Sequence, residues 1–227
     1  MGVFKMKTES GMKFKTHQHY ILKDGTEVCG VTTILGQLDK SFLLMWAYKL
    51  AIQGIKFWEI TNKSKNIGTV THYLIECYLK DEIPKDDFLN DYSVNEVKSA
   101  KISFNSFKQW CDMHDVVVLN TELQLVSETY HYGGTMDFVA YVDKVLCIVD
   151  IKTGKGVYDD VKYQLSAYRQ LYYENFNADI QKCLIIHIPY EKINFTEHIY
   201  GKTELVKAFE GFLHLLKFHE INKKVVK

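Results

Sequence analysis

The fold is decided by the run YGGTMDFVAYV at Tyr132–Val142, followed by the pair Asp143-Lys144 and the run VLCIVDI at Val145–Ile151. β-branched and aromatic residues on either side of a short polar turn predict an antiparallel hairpin. Asp137 lies early in the first strand and Asp150 lies late in the second. The hairpin therefore places these two carboxylates side by side.

The two aspartates indicate a metal site. Adjacent carboxylates repel each other, so both are ionised mainly when a divalent cation lies between them, and oxygen ligands suit Mg²⁺ or Mn²⁺. Because side chains alternate along a strand, Lys152 projects to the same face as Asp150 while Ile151 points into the core. The ammonium group then lies beside the metal, where it can orient or help to deprotonate a water molecule and offset the charge on a phosphate.

An isolated Asp-x-Lys sequence on a strand is common and usually has no catalytic role, so its surroundings matter. Inward-facing charges are rare in strands as rich in Val, Ile and Leu as Val145–Ile151. Gly133-Gly134, just before Asp137, lack side chains at a place where another backbone could approach. Both features favour a functional site over an ordinary strand.

The rest of the chain alternates between helical and β-rich segments. Asp24-Gly25 between two β-prone runs predicts a hairpin, and residues 81–91, which include Pro84, predict an acidic surface loop. The predicted elements are a hairpin at Tyr20–Val28, helices at Lys40–Lys56, Ile67–Lys80, Val94–Met113, Asp159–Asn175 and Thr203–Ile221, and further strands at Val116–Val126, Cys183–Ile188 and Lys192–Ile199. This order predicts a single α/β domain over residues 1–227, with helices flanking a central mixed sheet.

The composition describes one globular chain of 227 residues, 47% of them hydrophobic, in which 28 basic and 28 acidic side chains cancel. A zero net charge argues against a protein that coats nucleic acid or membranes through bulk charge, although the acids concentrate in the middle of the chain between two basic ends. Arg169 is the only arginine. Since lysine suits phosphate contact and guanine recognition favours arginine, any contact with nucleic acid is expected at the backbone rather than at the bases.

Cysteine spacing and hydropathy further limit the class of protein that this sequence predicts. The five cysteines are far apart and include no C-x-x-C pair that could hold zinc or an iron–sulfur cluster, so we expect reduced thiols. No apolar run reaches the length of a membrane span, and the start, MGVFKMKTES, lacks the features of a signal or transit peptide. These features predict a soluble intracellular enzyme or binding protein with no membrane partner.

Four short motifs follow one another along the chain. They are Gly68-x-x-x-His72-x-x-x-Glu76, Gly133-Gly134-Thr135-x-Asp137, Asp150-Ile151-Lys152 and Gln164-x-x-x-Tyr168. The set resembles the PD-(D/E)xK nucleases, which have a restriction-endonuclease-like core. It is most similar to the RecB/Cas4-type exonuclease branch, which includes phage recombination exonucleases and the mitochondrial genome maintenance exonuclease. The resemblance covers about residues 20–175.

The resemblance implies roles for the central residues. Asp137 and Asp150 would be carboxylate ligands of the metal, and the main-chain carbonyl of Ile151 would be a further ligand. His72 would be the metal ligand on the helix, although a histidine on an amphipathic helix is more often an ordinary core or surface residue. Lys152 would be the catalytic lysine.

The resemblance also implies accessory residues. Glu76 would bind a second ion or hold a water molecule, and a solvated or capping acid is the alternative. Gln164 and Tyr168 would lie along the DNA path near the scissile phosphate, with ordinary helix packing as the alternative. Glu122, early in the preceding strand, occupies a place where relatives often keep an acid.

The first part of the chain, about residues 1–66, resembles the helical region that admits a DNA strand in phage members, ahead of a catalytic core at about 67–227. Trp46, Phe57 and Trp58 could stack on unpaired bases, although core packing is the more usual role of such aromatics. Lysines of the basic segments would contact phosphates. These lysines are Lys40, Lys49, Lys56, Lys63, Lys65, Lys155 and Lys162.

Two departures from the family pattern qualify the resemblance. Many Cas4-type relatives hold an iron–sulfur cluster with four cysteines, and the cysteine spacing here excludes that arrangement. Met136 replaces the proline of the superfamily name, but this branch commonly has Gly-x-x-Asp at that position.

The expected function is a Mg²⁺- or Mn²⁺-dependent DNA exonuclease with little sequence preference. It would act on DNA ends, single-stranded or with a single-stranded tail, in viral or cellular recombination, repair or processing, alongside a recombination or replication protein. In a viral setting it would work in the cytoplasm of a bacterial host. The alternatives are a structure-specific or single-strand endonuclease on the same core, and a non-catalytic protein that binds DNA ends.

Overall fold

A computed structural model describes residues 19–38 and 40–225 of the chain, so the sequence start discussed above lies outside the described residues. The strands are β1 (Tyr20–Ile21), β2 (Glu27–Gly30), β3 (Val116–Ser127), β4 (Tyr132–Val142), β5 (Val145–Lys152), β6 (Lys182–His187) and β7 (Thr196–Gly201). The helices are α1 (Val31–Leu35), α2 (Ser41–Ile52), α3 (Phe57–Leu79), α4 (Asp86–Leu89), α5 (Val94–Met113), α6 (Val161–Phe176) and α7 (Lys202–Val225). The predicted α/β class is confirmed.

The strands form one mixed sheet of seven strands in the order β1-β2-β4-β5-β6-β7, with β3 also paired to β4. The pairs β2–β4 and β5–β6 are parallel, and the pairs β1–β2, β3–β4, β4–β5 and β6–β7 are antiparallel. The predicted hairpin at Tyr20–Val28 is confirmed, since Tyr20 pairs with Val28. The strand predicted at Lys192–Ile199 begins later, at Thr196.

One edge of β4 is divided between two neighbours. β3 pairs with β4 from Tyr132 to Val142 along the opposite edge. On the divided edge, β2 pairs only with Tyr132 and Gly133, and β5 pairs only from Phe138 to Val142. Among the described strands, none pairs with residues 134–137 on this edge. The sheet therefore opens into a gap in the middle of β4, and this gap contains Asp137.

The β4–β5 hairpin closes at the predicted turn. Asp143 and Lys144 have φ angles of 51° and 67°, which match the twist of a tight two-residue hairpin. The Asp143 carboxylate accepts a hydrogen bond from the Asp115 N–H at 3.0 Å and contacts His114 Nδ1 at 2.8 Å. These contacts fix the turn and the register of the two strands, and the register determines where Asp137 and Asp150 lie.

Helices cover both faces of the sheet. On one face, residues of α1, α6 and α7, among them Ile34, Leu165 and Phe212, form a buried cluster. On the other face, Ile75 of α3 and Phe107 of α5 pack against side chains of β4, β5 and β6. α3 and α6 approach the gap in β4 from opposite faces.

The N-terminal helices differ from the prediction. A single helix was expected to run to Lys56, but α2 ends at Ile52 and a break with Gly54 at φ 71° follows. α3 then begins at Phe57 rather than at Ile67, so the expected boundary near residue 66 falls inside this helix. The polar segment at residues 62–66 is part of α3 rather than a loop, because a long amphipathic helix tolerates polar residues on its outer side.

The acidic segment that follows α3 also differs from the prediction. The expected acidic loop at residues 81–91 contains the short helix α4, whose Phe88 ring packs against Tyr73 with ring centroids 4.0 Å apart. This aromatic contact explains why a segment rich in acids is ordered. Within the described ranges, none of the helices combines the length and the apolarity needed to cross a bilayer.

Candidate active site

A cleft of about 520 Å³ lies at the gap in β4. Residues of β3, β4, β5, α3 and α6 line it. The residues expected from the motifs that line it are His72, Glu122, Asp137, Asp150, Ile151, Lys152, Gln164 and Tyr168. Lys65, one of the lysines expected to contact phosphate, also lines the cleft.

His72 and Asp137 form the first pair of the site. His72 Nδ1 lies 3.3 Å from Asp137 Oδ1, and Asp137 Oδ2 accepts a hydrogen bond of 2.7 Å from the Ile151 N–H. Burial alone would raise the pKa of Asp137, but His72, Lys152 and the Ile151 N–H together outweigh burial, and the pKa is lowered. For His72, burial is likewise outweighed by the hydrogen bond to Asp137 and the charges of Asp137 and Asp150 together, and the pKa is raised. The pair therefore favours an ionised Asp137.

Glu122 completes a group of three potential metal ligands. It lies on β3 with a φ of 48°, a left-handed conformation that few residues other than glycine adopt. One ligand atom each from His72, Glu122 and Asp137 lies within 4.8 Å of the others. The motif resemblance pointed to Asp150 as the second carboxylate, and Glu122 only as a further acid. In the structure, Glu122 rather than Asp150 is the carboxylate that forms this group with His72 and Asp137.

Asp150 is almost completely buried, with 3% of its surface exposed. Its Oδ1 accepts a hydrogen bond from Gln164 Nε2 at 3.2 Å. Its Oδ2 lies 2.7 Å from Lys152 Nζ but accepts no hydrogen bond of normal geometry from the described residues. Burial raises the pKa of Asp150 to about 6; Lys152 opposes this rise and the charge of Asp137 adds to it. Ionisation of both aspartates is therefore less favourable in this site than it would be for two exposed carboxylates.

Gln164 connects the charged pair to α6. Its Oε1 accepts a hydrogen bond from Lys152 Nζ at 3.0 Å, and its Nε2 donates to Asp150 and to the Tyr168 hydroxyl, the latter at 3.0 Å. Gln164 and Tyr168 are 9% and 3% exposed. Burial raises the pKa of Tyr168 well above its ordinary value, so the hydroxyl stays protonated. This arrangement favours a positioning role for both residues over direct contact with DNA.

The residues suit a divalent cation. An imidazole nitrogen and two carboxylates converge, and the buried Asp150 Oδ2 lacks a normal hydrogen bond. Oxygen-rich sets with one imidazole suit Mn²⁺ and Mg²⁺. A cation would also counter the burial and the Asp137 charge that raise the pKa of Asp150.

The two glycines before Asp137 accommodate aromatic rings, and the expectation of a backbone approach is wrong. A Cβ on Gly133 would lie 2.2 Å from Tyr20 Cγ, and a Cβ on Gly134 would lie 2.7 Å from Tyr168 Cε1. The Tyr20 hydroxyl also lies 3.0 Å from Thr135 Oγ1. The sequence analysis missed Tyr20 as a lining residue, although the paired glycines were a signal that a bulky group packs there.

The other expected residues lie around the cleft. Glu76 pairs with Lys80 on α3 and lines only a small void beside His72 rather than the cleft itself. Lys162 Nζ lies 3.2 Å from Glu204 Oε1, so its charge is already paired with a carboxylate. Lys40, Lys49 and Lys155 are exposed. Trp46 is half-buried and meets the Phe57 ring edge-on, with ring centroids 5.1 Å apart.

Comparisons with known proteins give structural likenesses only. No protein-family model matches the chain. A comparison with curated proteins also finds no match. A candidate exonuclease from Eubacterium rectale is similar at 12% identity and a TM-score of 0.48, over 67% of this chain and 64% of that one, so the match spans less than two thirds of its length. An alkaline exonuclease from Laribacter hongkongensis is similar at 8% identity and a TM-score of 0.30, over 56% of this chain and 73% of that one.

Proposed function

We propose that this protein is a Mg²⁺- or Mn²⁺-dependent DNA exonuclease that hydrolyses phosphodiester bonds with little sequence preference. The observation that carries the proposal is the cleft at the gap in β4. There the ligand atoms of His72, Glu122 and Asp137 converge beside the pair formed by the buried Asp150 and the half-buried Lys152. The four motifs resembling PD-(D/E)xK nucleases lie around this one cleft, which supports a common chemical role.

The residues divide the chemistry between them. His72, Glu122, Asp137 and Asp150 would hold the cation, with the main-chain carbonyl of Ile151 as the further ligand that the resemblance implies. A bound Mg²⁺ or Mn²⁺ polarises a phosphate and lowers the pKa of a water molecule. The protein residues fix where the phosphate can lie relative to Lys152.

Lys152 would act as a positioned positive charge. Its ammonium group has three N–H donors. One is bound by Gln164 and another is directed towards Asp150. A third remains for a phosphate oxygen or for the attacking water. Because Gln164 is held in turn by Tyr168, the ammonium has little freedom to move away from the reacting atoms.

The surface beside the cleft suits an unpaired DNA end. Phe42 and Tyr158 stack with ring centroids 5.5 Å apart, and this contact brings α2 next to the loop that follows Lys152. Tyr48 and Trp58 are exposed by 63% and 58%. Aromatic faces stack on any base, whereas neighbouring lysines contact phosphates, so such a surface binds single strands without reading sequence.

Little sequence preference is expected for a second reason. Arg169 is the only arginine, and bidentate recognition of guanine favours arginine. Its Nε donates to the Ile180 carbonyl at 2.8 Å, and its guanidinium also pairs with Asp179. The group best suited to guanine is therefore engaged within the protein. Binding through lysines should weaken as salt rises.

Digestion of end-labelled oligonucleotides tests the proposal. Single- and double-stranded DNA labelled at the 5′ or the 3′ end is incubated with the protein and Mn²⁺, with a chelator as the control. An exonuclease gives a ladder from one end and leaves a closed single-stranded circle intact. Cleavage of the circle would instead identify a single-strand endonuclease on the same core.

Two further outcomes would overturn the proposal. Cleavage at the wild-type rate by a purified Asp150→Ala protein would contradict the assignment of the site. An absence of cleavage, together with no Mn²⁺ binding in calorimetry, would favour a non-catalytic protein that binds DNA ends. If the protein is an exonuclease, we place it in viral or cellular DNA recombination, repair or processing, where free ends are the substrate.

A further inference from the structure

A second cluster of reactive groups lies outside the cleft, where β2 meets α7. Cys29 Sγ lies 3.2 Å from His219 Nε2 and accepts a hydrogen bond from Lys223 Nζ at 3.0 Å. The other imidazole nitrogen, Nδ1, lies 3.2 Å from Gln37 Nε2. Side chains from β2, from the turn after α1 and from α7 thus converge on one sulfur atom.

The hydrogen-bond partners determine where the imidazole carries its proton. An amide nitrogen can only donate, so Gln37 Nε2 donates to Nδ1 of His219, and the proton of the ring is then on Nε2, facing the sulfur. Burial and the charge of Lys223 both lower the pKa of His219, which favours the neutral ring. The sulfur of Cys29 therefore faces two N–H donors, one of them a cation. Electropositive, partly exposed surroundings of this kind are typical of reactive cysteines.

The other four cysteines, all within the described part of the chain, have different surroundings. Cys77, Cys147 and Cys183 are buried. Burial raises the pKa of Cys147 and Cys183, and it raises the pKa of Cys111 to about 12. Cys29 is half-buried, as Cys111 is, but it lies beside a lysine. Thiol reactivity should therefore be concentrated at Cys29.

We propose that Cys29, His219 and Lys223 form a reactive-thiol site that takes low-molecular-weight disulfides by thiol–disulfide exchange. The Cys29 thiolate attacks one sulfur of the disulfide, and a new S–S bond forms at Cys29. The original S–S bond breaks, and the other half leaves as a thiolate with the bonding electron pair. The two N–H donors fix the position of the attacking sulfur. The site is separate from the cleft and does not depend on the proposed nuclease activity.

The test uses the full chain and oxidised glutathione, followed by intact-mass spectrometry and peptide mapping. We expect one fast adduct, located at Cys29, which is absent from Cys29→Ser. Lys223→Met should slow formation of the adduct by about tenfold, because the cation beside the reacting sulfur is removed. Lys223→Arg keeps a cationic donor and should retain most of the rate.

Lys217 provides a matched control, because it lies on the same helix and pairs with Glu220 instead of the sulfur. Lys217→Met should react at the wild-type rate. Thermal melting of each variant separates a loss of reactivity from a loss of folding, and the comparison of the lysine variants remains decisive even if Cys29→Ser fails to fold. Adducts spread evenly over several cysteines, or an unchanged rate in Lys223→Met, would overturn the proposal.

Discussion

The cleft and the helix α2 show opposite kinds of construction. In the cleft, His72, Asp137 and Lys152 each have a polar partner within 3.3 Å, and Gln164 binds three other side chains. In α2, Leu50 is the only buried residue of the helix. Large apolar side chains of α2 are exposed instead, namely Phe42, Leu44, Met45, Tyr48 and Ile52.

The contrast corresponds to two requirements of the proposed nuclease function. Catalytic groups must be held to within a fraction of an ångström, and side chains that restrain each other provide that precision. A surface that stacks on any base needs area and aromatic faces more than fixed geometry. Substitutions in the cleft should therefore change the rate of the chemical step, whereas substitutions in α2 should change the affinity for DNA.

The largest effect is expected for Lys152→Gln, which removes the charge while keeping a polar side chain. The single-turnover rate of cleavage with Mn²⁺ should fall by about 10²–10³-fold, the loss typical when a preorganised group that stabilises transition-state charge is removed. Lys155→Gln, on the exposed loop that follows β5, is the control and should change mainly the affinity. Equal single-turnover cleavage rates in the two variants would show that Lys152 contributes no more to the chemical step than an exposed lysine outside the cleft does.

A comparison of two glutamates sharpens the description of the cleft. Glu122→Gln should weaken Mn²⁺ binding by at least about tenfold, since even partners outside the ligand shell have effects of that size. Glu76→Gln should leave binding unchanged, because Glu76 pairs with Lys80. Isothermal titration calorimetry with Mn²⁺ measures both. The opposite ranking would show that Glu76 is the ligand that the motif spacing implied.

Gly133→Ala tests how tightly the wall of the cleft is packed. The new Cβ would lie 2.2 Å from Tyr20 Cγ, so β1 must move, and we expect a loss of about 1–3 kcal/mol in the free energy of unfolding. Gly156→Ala is the matched control, because nothing lies within 4 Å of its Cβ. Urea denaturation of both variants gives the comparison, and a loss of similar size in both would contradict the tight contact.

The smallest effect is expected in the helical region. Phe42→Ala should raise KM for a single-stranded oligonucleotide by about fivefold, near the lower end of what one stacked base contributes, and should leave kcat and the melting temperature unchanged. Phe218→Ala on α7 is the control, since its exposure of 56% is close to the 49% of Phe42. A fall in kcat for Phe42→Ala would mean that α2 also positions the catalytic groups.

Local signals in the sequence were sufficient to predict the central hairpin. Side-chain alternation and the turn at Asp143-Lys144 correctly placed Asp150 and Lys152 on one face, where their charged atoms lie 2.7 Å apart. Strand pairing within a hairpin depends on neighbouring residues, so the register could be derived from the turn. The mixed sheet followed from the order of the elements.

Features that depend on distant contacts were predicted less well. The approach of Glu122 to His72 depends on an unusual φ angle and on a bulge in β3 between Val118 and Asn120, and neither leaves a clear trace in the sequence. The early start of α3 was obscured because its exposed face is polar. The ring that packs on Gly133 belongs to Tyr20, which comes from a remote strand.

The divided edge of β4 has a consequence for the order of folding. The β4–β5 hairpin joins neighbouring residues, and contacts of this kind form early because little loop entropy is lost. Pairing of Cys29 with Tyr132 instead closes a loop through all the intervening helices. We therefore expect β2 to dock late, and only then is the gap bounded on both sides. Chains interrupted before this step would contain the Asp150–Lys152 pair without the second wall of the cleft, so the proposed nuclease activity should emerge only when folding is complete.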